Sequence, residues 1–225
     1  MSPQSQQIAI GAHVDQADPV GEARERGVPL VQMFLGDPQG YRGPEIQHPG
    51  GAAGLRDEAA EAGVELYVHA PYIVNVATTN NRIRIPSRKL LQQHMDAAAE
   101  IGAKGLIVHG GHVNKADDPS IGFDNWRKAV EATDVTIPLL IENTAGGDNA
   151  MTRYLDRIGR VWNAISAAEG FEQVAQPGEG FPAPVNCWAH GLRTPATHSH
   201  SPKPIAQESH ILAGISILAI VARTA

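Results

Sequence analysis

Along the first 142 residues, short apolar runs alternate with longer segments whose apolar residues recur every three or four positions. The runs at 7–13 (QIAIGAH), 29–35 (PLVQMFL), 64–69 (VELYVH), 104–109 (KGLIVH) and 136–142 (TIPLLIE) read as buried strands. Between and after them the spacing predicts helices near 18–27, 51–63, 86–102, 120–133 and 148–168. The segment "SRKLLQQHMDAAAEIGA" opens on Ser87 as a candidate cap and closes at Gly102. "GFDNWRKAVEAT" sets Phe123, Trp126, Ala129 and Val130 at helical spacing. Strand then helix, five times over, implies parallel strands covered by helices: an open doubly wound sheet, or part of a (β/α)8 barrel. No G-x-G-x-x-G follows the first strand, and "HGGH" at 109–112 lacks the Lys-Ser/Thr of a phosphate-cradling loop. Polar residues end several strands instead: His13, His69, His109 and Glu142. A barrel assembles its active site at that end of its strands, so the pattern favours an α/β chain of (β/α)8 type.

The alternation fades near Val174. Six of the sixteen prolines fall in 175–225, and no Asp follows Asp156. We therefore divide the chain into a barrel portion, 1–174, and a divergent Pro-rich tail, 175–225, that reads as loop or disordered linker. A full barrel takes about 250 residues, so five legible units make an incomplete one with strands one and five as open edges. The apolar end at 211–222 could cover part of that gap. It is too short to span a bilayer as a helix, and "MSPQSQQIAIGAHV" lacks the features of a signal peptide. Cys187 is the only cysteine, which excludes an intrachain disulfide and suits a reducing cytoplasm. The formal charge of −6 argues against a generally basic nucleic-acid coat but leaves room for a local cationic groove.

Three of the strand-end residues form a chemical set. Neighbouring parallel strands lie roughly 5 Å apart, so His69, His109 and Glu142 can converge on one ion. Two imidazoles and a carboxylate suit zinc or manganese and leave positions for water. Glu142 ends the apolar run "IPLLI", where an unpaired carboxylate is costly, so some cation must lie near it. A metal or an arginine would serve. His13 reads as a core hydrogen-bonding residue, His112 as loop structure or support, and His198 and His200 as a solvated loop. The loop after His69 offers Tyr72, Ile73, Asn75, Asn80 and Asn81, then Arg82, Arg84, Arg88 and Lys89. An exposed aromatic beside an apolar residue can wedge into a base stack while arginines hold phosphates, or the same loop can simply cap a helix. "FLGDPQGYRGP" at 34–44 adds Gln39, Tyr41 and Arg42 at the same barrel face.

The phrases "IGAHV", "VQMFLGDPQ", "YVHAPYIVNVATTNNRIRIPSRKLL", "IVHGGHV" and "LIENTAGG" stand in this order over roughly residues 8–174. Together they resemble endonuclease IV, the zinc-dependent apurinic/apyrimidinic endonuclease family. The resemblance implies a TIM barrel with three zinc ions that cuts double-stranded DNA 5′ to abasic sites in base excision repair, acting as a monomer. It assigns His69 and His109 to one zinc and Glu142 to the carboxylate bridging that zinc to a second, a catalytic position. Tyr72 and Ile73 correspond to the DNA-penetrating loop, with Asn75 and Gln39 as further DNA-binding positions. The family's next motif, Asp-Thr-Cys-His, is absent, and its aspartate ligands cannot come from a tail without Asp. Ligands for about one zinc are retained. A change of coding frame shortly after Val174 would account for this. Arg193–His198 (RTPATH) can be encoded so that a two-base shift yields Asp-Thr-Cys-His. Two other readings share the chain: a truncated homologue without turnover, and a sugar isomerase or epimerase on a metal-binding barrel.

Overall fold

The computed structural model describes residues 9–143 and 147–168, with the backbone of 219–221. Five strands, β1 (Ala12–His13), β2 (Leu30–Phe34), β3 (Glu65–His69), β4 (Leu106–His109) and β5 (Leu139–Glu142), alternate with five helices. The helices are α1 (Pro19–Arg26), α2 (Gly51–Ala62), α3 (Asn81–Glu100), α4 (Pro119–Glu131) and α5 (Leu155–Ser166). A sixth strand, β6 (Ala219–Val221), completes the sheet.

Spatial order follows chain order, β1 to β5, and every neighbour among these five pairs in parallel. A doubly wound sheet reverses its order at a switch point; this one does not, which selects the barrel from the two folds the pattern allowed. The five units are the opening portion of a (β/α)8 barrel. Alternate strand residues explain why the runs read as continuously apolar. Val31, Met33, Leu66, Val68, Leu106, Val108, Leu139 and Ile141 join the main core. Leu30, Tyr67, Ile107 and Leu140 form a separate cluster. Strands covered on both faces carry no polar alternation.

Helix ends differ from the spacing where side chains overrule it. α3 begins at Asn81, not near 86, because the Asn80 side chain accepts from the Arg82 N–H at 3.0 Å and caps it. Ser87 is thus no cap: it lies buried inside α3, where its Oγ accepts from the Asn75 N–H at 2.9 Å. α5 starts at Leu155, seven residues later than 148, since 147–154 make a loop that clasps its neighbours. α4 buries Phe123, Trp126, Ala129 and Val130 as their spacing requires.

The open edge expected at strand five is covered. β6 pairs antiparallel with it, Leu139 opposite Val221 and Ile141 opposite Ala219. The boundary at 174/175, the character of the tail, His198 and His200, and the 193–198 motif lie outside the described residues. Among the described residues no helix is long and apolar enough to cross a membrane.

Candidate metal centre and nucleic-acid interface

The sheet register brings the strand-end residues together. Phe34 lies opposite His69 and His109 opposite Glu142 on adjacent strands. His69 Nε2 stands 3.0 Å from Glu142 Oε2, and His109 Nε2 stands 3.4 Å from the same oxygen. All three ligand atoms lie within 4.8 Å of one another, the one such group of three among the described residues. His69 is buried; His109 and Glu142 are partly open to solvent.

Hydrogen bonding decides what His69 offers. Its Nδ1 lies 2.7 Å from the Ala70 carbonyl, which can only accept, so Nδ1 carries the proton. Nε2 is thereby left to face a carboxylate oxygen 3.0 Å away. Two lone pairs at that distance repel; a proton or a metal ion between them removes the conflict. The three residues could thus hold a cation, and His69 has its other nitrogen fixed by backbone in the manner common among metal-binding histidines. Burial alone would raise the Glu142 carboxyl, but hydrogen bonds from His109 and His69, and their charge, overcome it and hold the pKa down at about 2. Glu142 is therefore an anion at any physiological pH.

An aromatic cluster seats these rings. Phe34 meets His69 edge-on at 5.1 Å between centroids and Tyr72 at 5.0 Å, and touches His13 at 4.8 Å. Tyr72 lies 5.4 Å from the His109 ring, and the Glu142 charge adds to burial in raising its phenol pKa. His13 takes the core role read for it, bonding Gln32 Nε2 through Nδ1 at 2.8 Å. Phe34 escaped the sequence reading because it sits inside an apolar run that looks like plain core.

The "HGGH" stretch is a junction of loops. The Gly110 carbonyl accepts from Trp126 Nε1 at 2.8 Å. A Cβ on Gly110 would stand 2.1 Å from Thr152 Oγ1, the hydroxyl that donates to the Glu142 carbonyl at 2.8 Å. Gly111 has φ +69°, and its Cβ would stand 2.4 Å from Asn75 Oδ1. His112 bridges to Ala150 across the junction. His112 is thus a supporting residue, bonded through its backbone N–H, carbonyl and Nδ1 to the Asn75 amide.

That finding moves Asn75 from the role expected of it. The side chain is buried and its amide engages His112 and the Thr78 N–H, so it ties the β3 and β4 loops together. Tyr72 is exposed, and its N–H donates to the Pro38 carbonyl at 2.7 Å. Ile73 is half-buried, packed against the main core. Gln39 is exposed, its N–H bonded to Asp37 Oδ1 at 2.9 Å. Of the cations in the Tyr72 loop and α3, Arg84 donates to the Thr78 carbonyl and Asn81, and Arg88 to the Asn125 carbonyl. Both brace the fold, while Arg82 and Lys89 are exposed.

Residues 20–173, more than half of the chain, match the family described as Xylose isomerase-like TIM barrel. The chain belongs to that family. It is 47% identical over 161 residues to the probable endonuclease 4 of Mycobacterium marinum, a match covering 70% of this chain and 60% of that one. It therefore spans about three fifths of the length of the curated relatives it matches. The crystal structure of endonuclease IV from Thermus thermophilus superposes with a TM-score of 0.57 at 24% identity, covering 68% of this chain and 58% of that one. A D-tagatose 3-epimerase-like protein shares the fold with a TM-score of 0.53 at 17% identity, covering 68% and 60%.

Proposed function

We propose that this chain is the metal-holding and lesion-facing part of a DNA-repair endonuclease that hydrolyses the phosphodiester 5′ to abasic sites in duplex DNA. The observation that carries the reading is the convergence of His69, His109 and Glu142 beneath the exposed Tyr72 ring. Similarity to proteins named probable endonuclease 4 supports it. His69, His109 and Glu142 would hold zinc, which when bound polarises a phosphoryl oxygen and acidifies water.

The chain's own groups do the rest. Glu142, ionised throughout the neutral range, draws both imidazoles to one point. The Ala70 carbonyl keeps the His69 Nε2 lone pair turned inward. Tyr72 and Ile73 fill the gap left by a displaced nucleotide, Gln39 meets the backbone beside it, and Asn75 holds the Tyr72 loop against the ligand loop. An epimerase needs a lysine or second carboxylate aimed at a hydroxy-carbonyl, whereas this cluster holds one carboxylate. A second reading, binding without turnover, is favoured by the ligand set, which among the described residues suffices for one ion.

The test is cleavage of a duplex carrying one abasic site, by the purified chain and by His109→Ala, with zinc content measured in both. Cleavage 5′ to the lesion, lost together with zinc in the variant, is the expected result. Zinc-dependent duplex binding with no cleavage selects the second reading. Folded protein that neither binds zinc nor cleaves overturns both.

A further inference from the structure

We infer that the start of α5 forms a second contact for the DNA backbone, with Tyr154 as a stacking platform and Arg153 and Arg157 as its phosphate-holding cations. This rests on the DNA-directed reading above and extends it to residues that reading does not use.

The first observation is where aromatic surface is left in water. Among the described residues the large exposed aromatics are Tyr41, Tyr72 and Tyr154, at 53%, 46% and 40%. Each lies on the loop that leaves the carboxyl end of a strand: β2, β3 and β5 respectively. An arc of tyrosines along one rim suits a ligand with successive flat faces, and base–aromatic stacking is tolerant of sequence.

The second observation is charge. The Arg153 and Arg157 guanidinium carbons lie 5.1 and 5.6 Å from the Tyr154 ring centroid. Arg157 donates to the carbonyls of Asp148 and Ala150, and among the described residues no carboxylate comes within ion-pair distance of it. Its charge is thus oriented and not neutralised. Arg153 meets Asp148 Oδ1 at 3.2 Å, an exposed pair of the kind worth little, and Tyr154 Oη donates to the same carboxylate at 3.1 Å. Arg160, one turn on, continues the row above the Phe123 ring at 4.4 Å. Asp156 is the acid on that first turn. In a chain of net charge −6, this row of cations beside an exposed ring sits at the face that carries the ligands.

The third observation is rigidity. Ala150, held by Arg157, pairs with His112 on the ligand loop, and Thr152 bonds the Glu142 carbonyl. The patch is fixed to the strand ends that hold His109 and Glu142. Bracing alone would account for Arg157 but not for two guanidiniums around an exposed ring.

The experiment measures binding of a fluorescent 20-base-pair duplex to the full chain across a salt series. Tyr154→Ala is expected to weaken binding about tenfold. Arg157→Gln is expected to lower the slope of log K against log salt by about one. Arg157→Lys, which keeps the charge but loses the carbonyl bonds, is expected to retain the slope. Arg153→Gln, at a more exposed side chain, is the second charge variant. Wild-type-like affinity and slope in Tyr154→Ala and both glutamine variants, or a slope lost equally in Arg157→Lys, overturns the inference alone. Failure of the wild type to bind duplex overturns it together with the reading beneath it.

Discussion

Two glycines separate His109 from His112, and different neighbours hold each to glycine. Gly110 is closed by Thr152, while Gly111 combines a left-handed backbone with contact against the Asn75 amide. Gly111→Ala should therefore strain the backbone and displace Asn75 from His112. We expect a loss of about 2 kcal/mol, roughly half from the left-handed conformation and half from the disturbed buried hydrogen bonds. Urea unfolding checks it: the midpoint should fall with the slope unchanged, and an unmoved midpoint would mean that the loop yields freely. At this scale the candidate ligands were legible in the letters, because a histidine or carboxylate ending an apolar run must have a polar reason to be there. Asn75 was not legible. Its letter suits an exposed loop or a buried bracket equally, and only the approach of the β4 loop decides between them.

At the scale of elements, α3 shows a buried titratable group outside the site. His94 lies wholly buried, its Nδ1 donating to the Leu90 carbonyl at 3.0 Å. Burial lowers its pKa below the ordinary 6.5, outweighing the Leu90 and Leu35 carbonyls that favour the charged ring. The sign follows directly. Above pH 6.5 the ring is neutral folded or unfolded; below it the unfolded chain takes up a proton the folded chain resists, so stability falls as pH falls towards the lowered folded value. We expect a loss approaching ~1.4 kcal/mol per pH unit from this group. Chemical denaturation of the wild type and His94→Leu between about pH 7.5 and 5 measures it: the variant should show a flatter profile, and parallel profiles would refute it. The same helix shows why boundaries are hard to read. Pro86 and Ser87 look like a start, yet Asn80 caps the helix about two turns earlier, and Pro86 lies inside.

At the scale of the molecule, the sheet of the described residues is an open part of a barrel, with one edge covered. β5 would otherwise present unpaired backbone groups to any other strand, including another copy of this chain. β6 occupies that edge in the antiparallel sense, where a following barrel strand would run parallel. Deleting residues 219–225 should raise concentration-dependent self-association relative to the full chain, by sedimentation velocity. Equal sedimentation of the two at matched concentrations would show that the edge needs no such cover.

The sequence by itself determined the five strand–helix units and the three residues proposed as ligands. Local periodicity and the cost of burying an unpaired polar group act within a few residues of one another along the chain. It also carried the family, through five phrases in order. Tertiary structure decided the rest. Strand order excluded the doubly wound sheet, since periodicity within a strand says nothing about its neighbours. Register set Glu142 3.0 Å from His69 across 73 residues of chain. Packing made Asn75 a bracket and placed Phe34 against the ring of His69, a candidate ligand. The cover on β5 depends on pairing between segments about eighty residues apart, which no local pattern encodes.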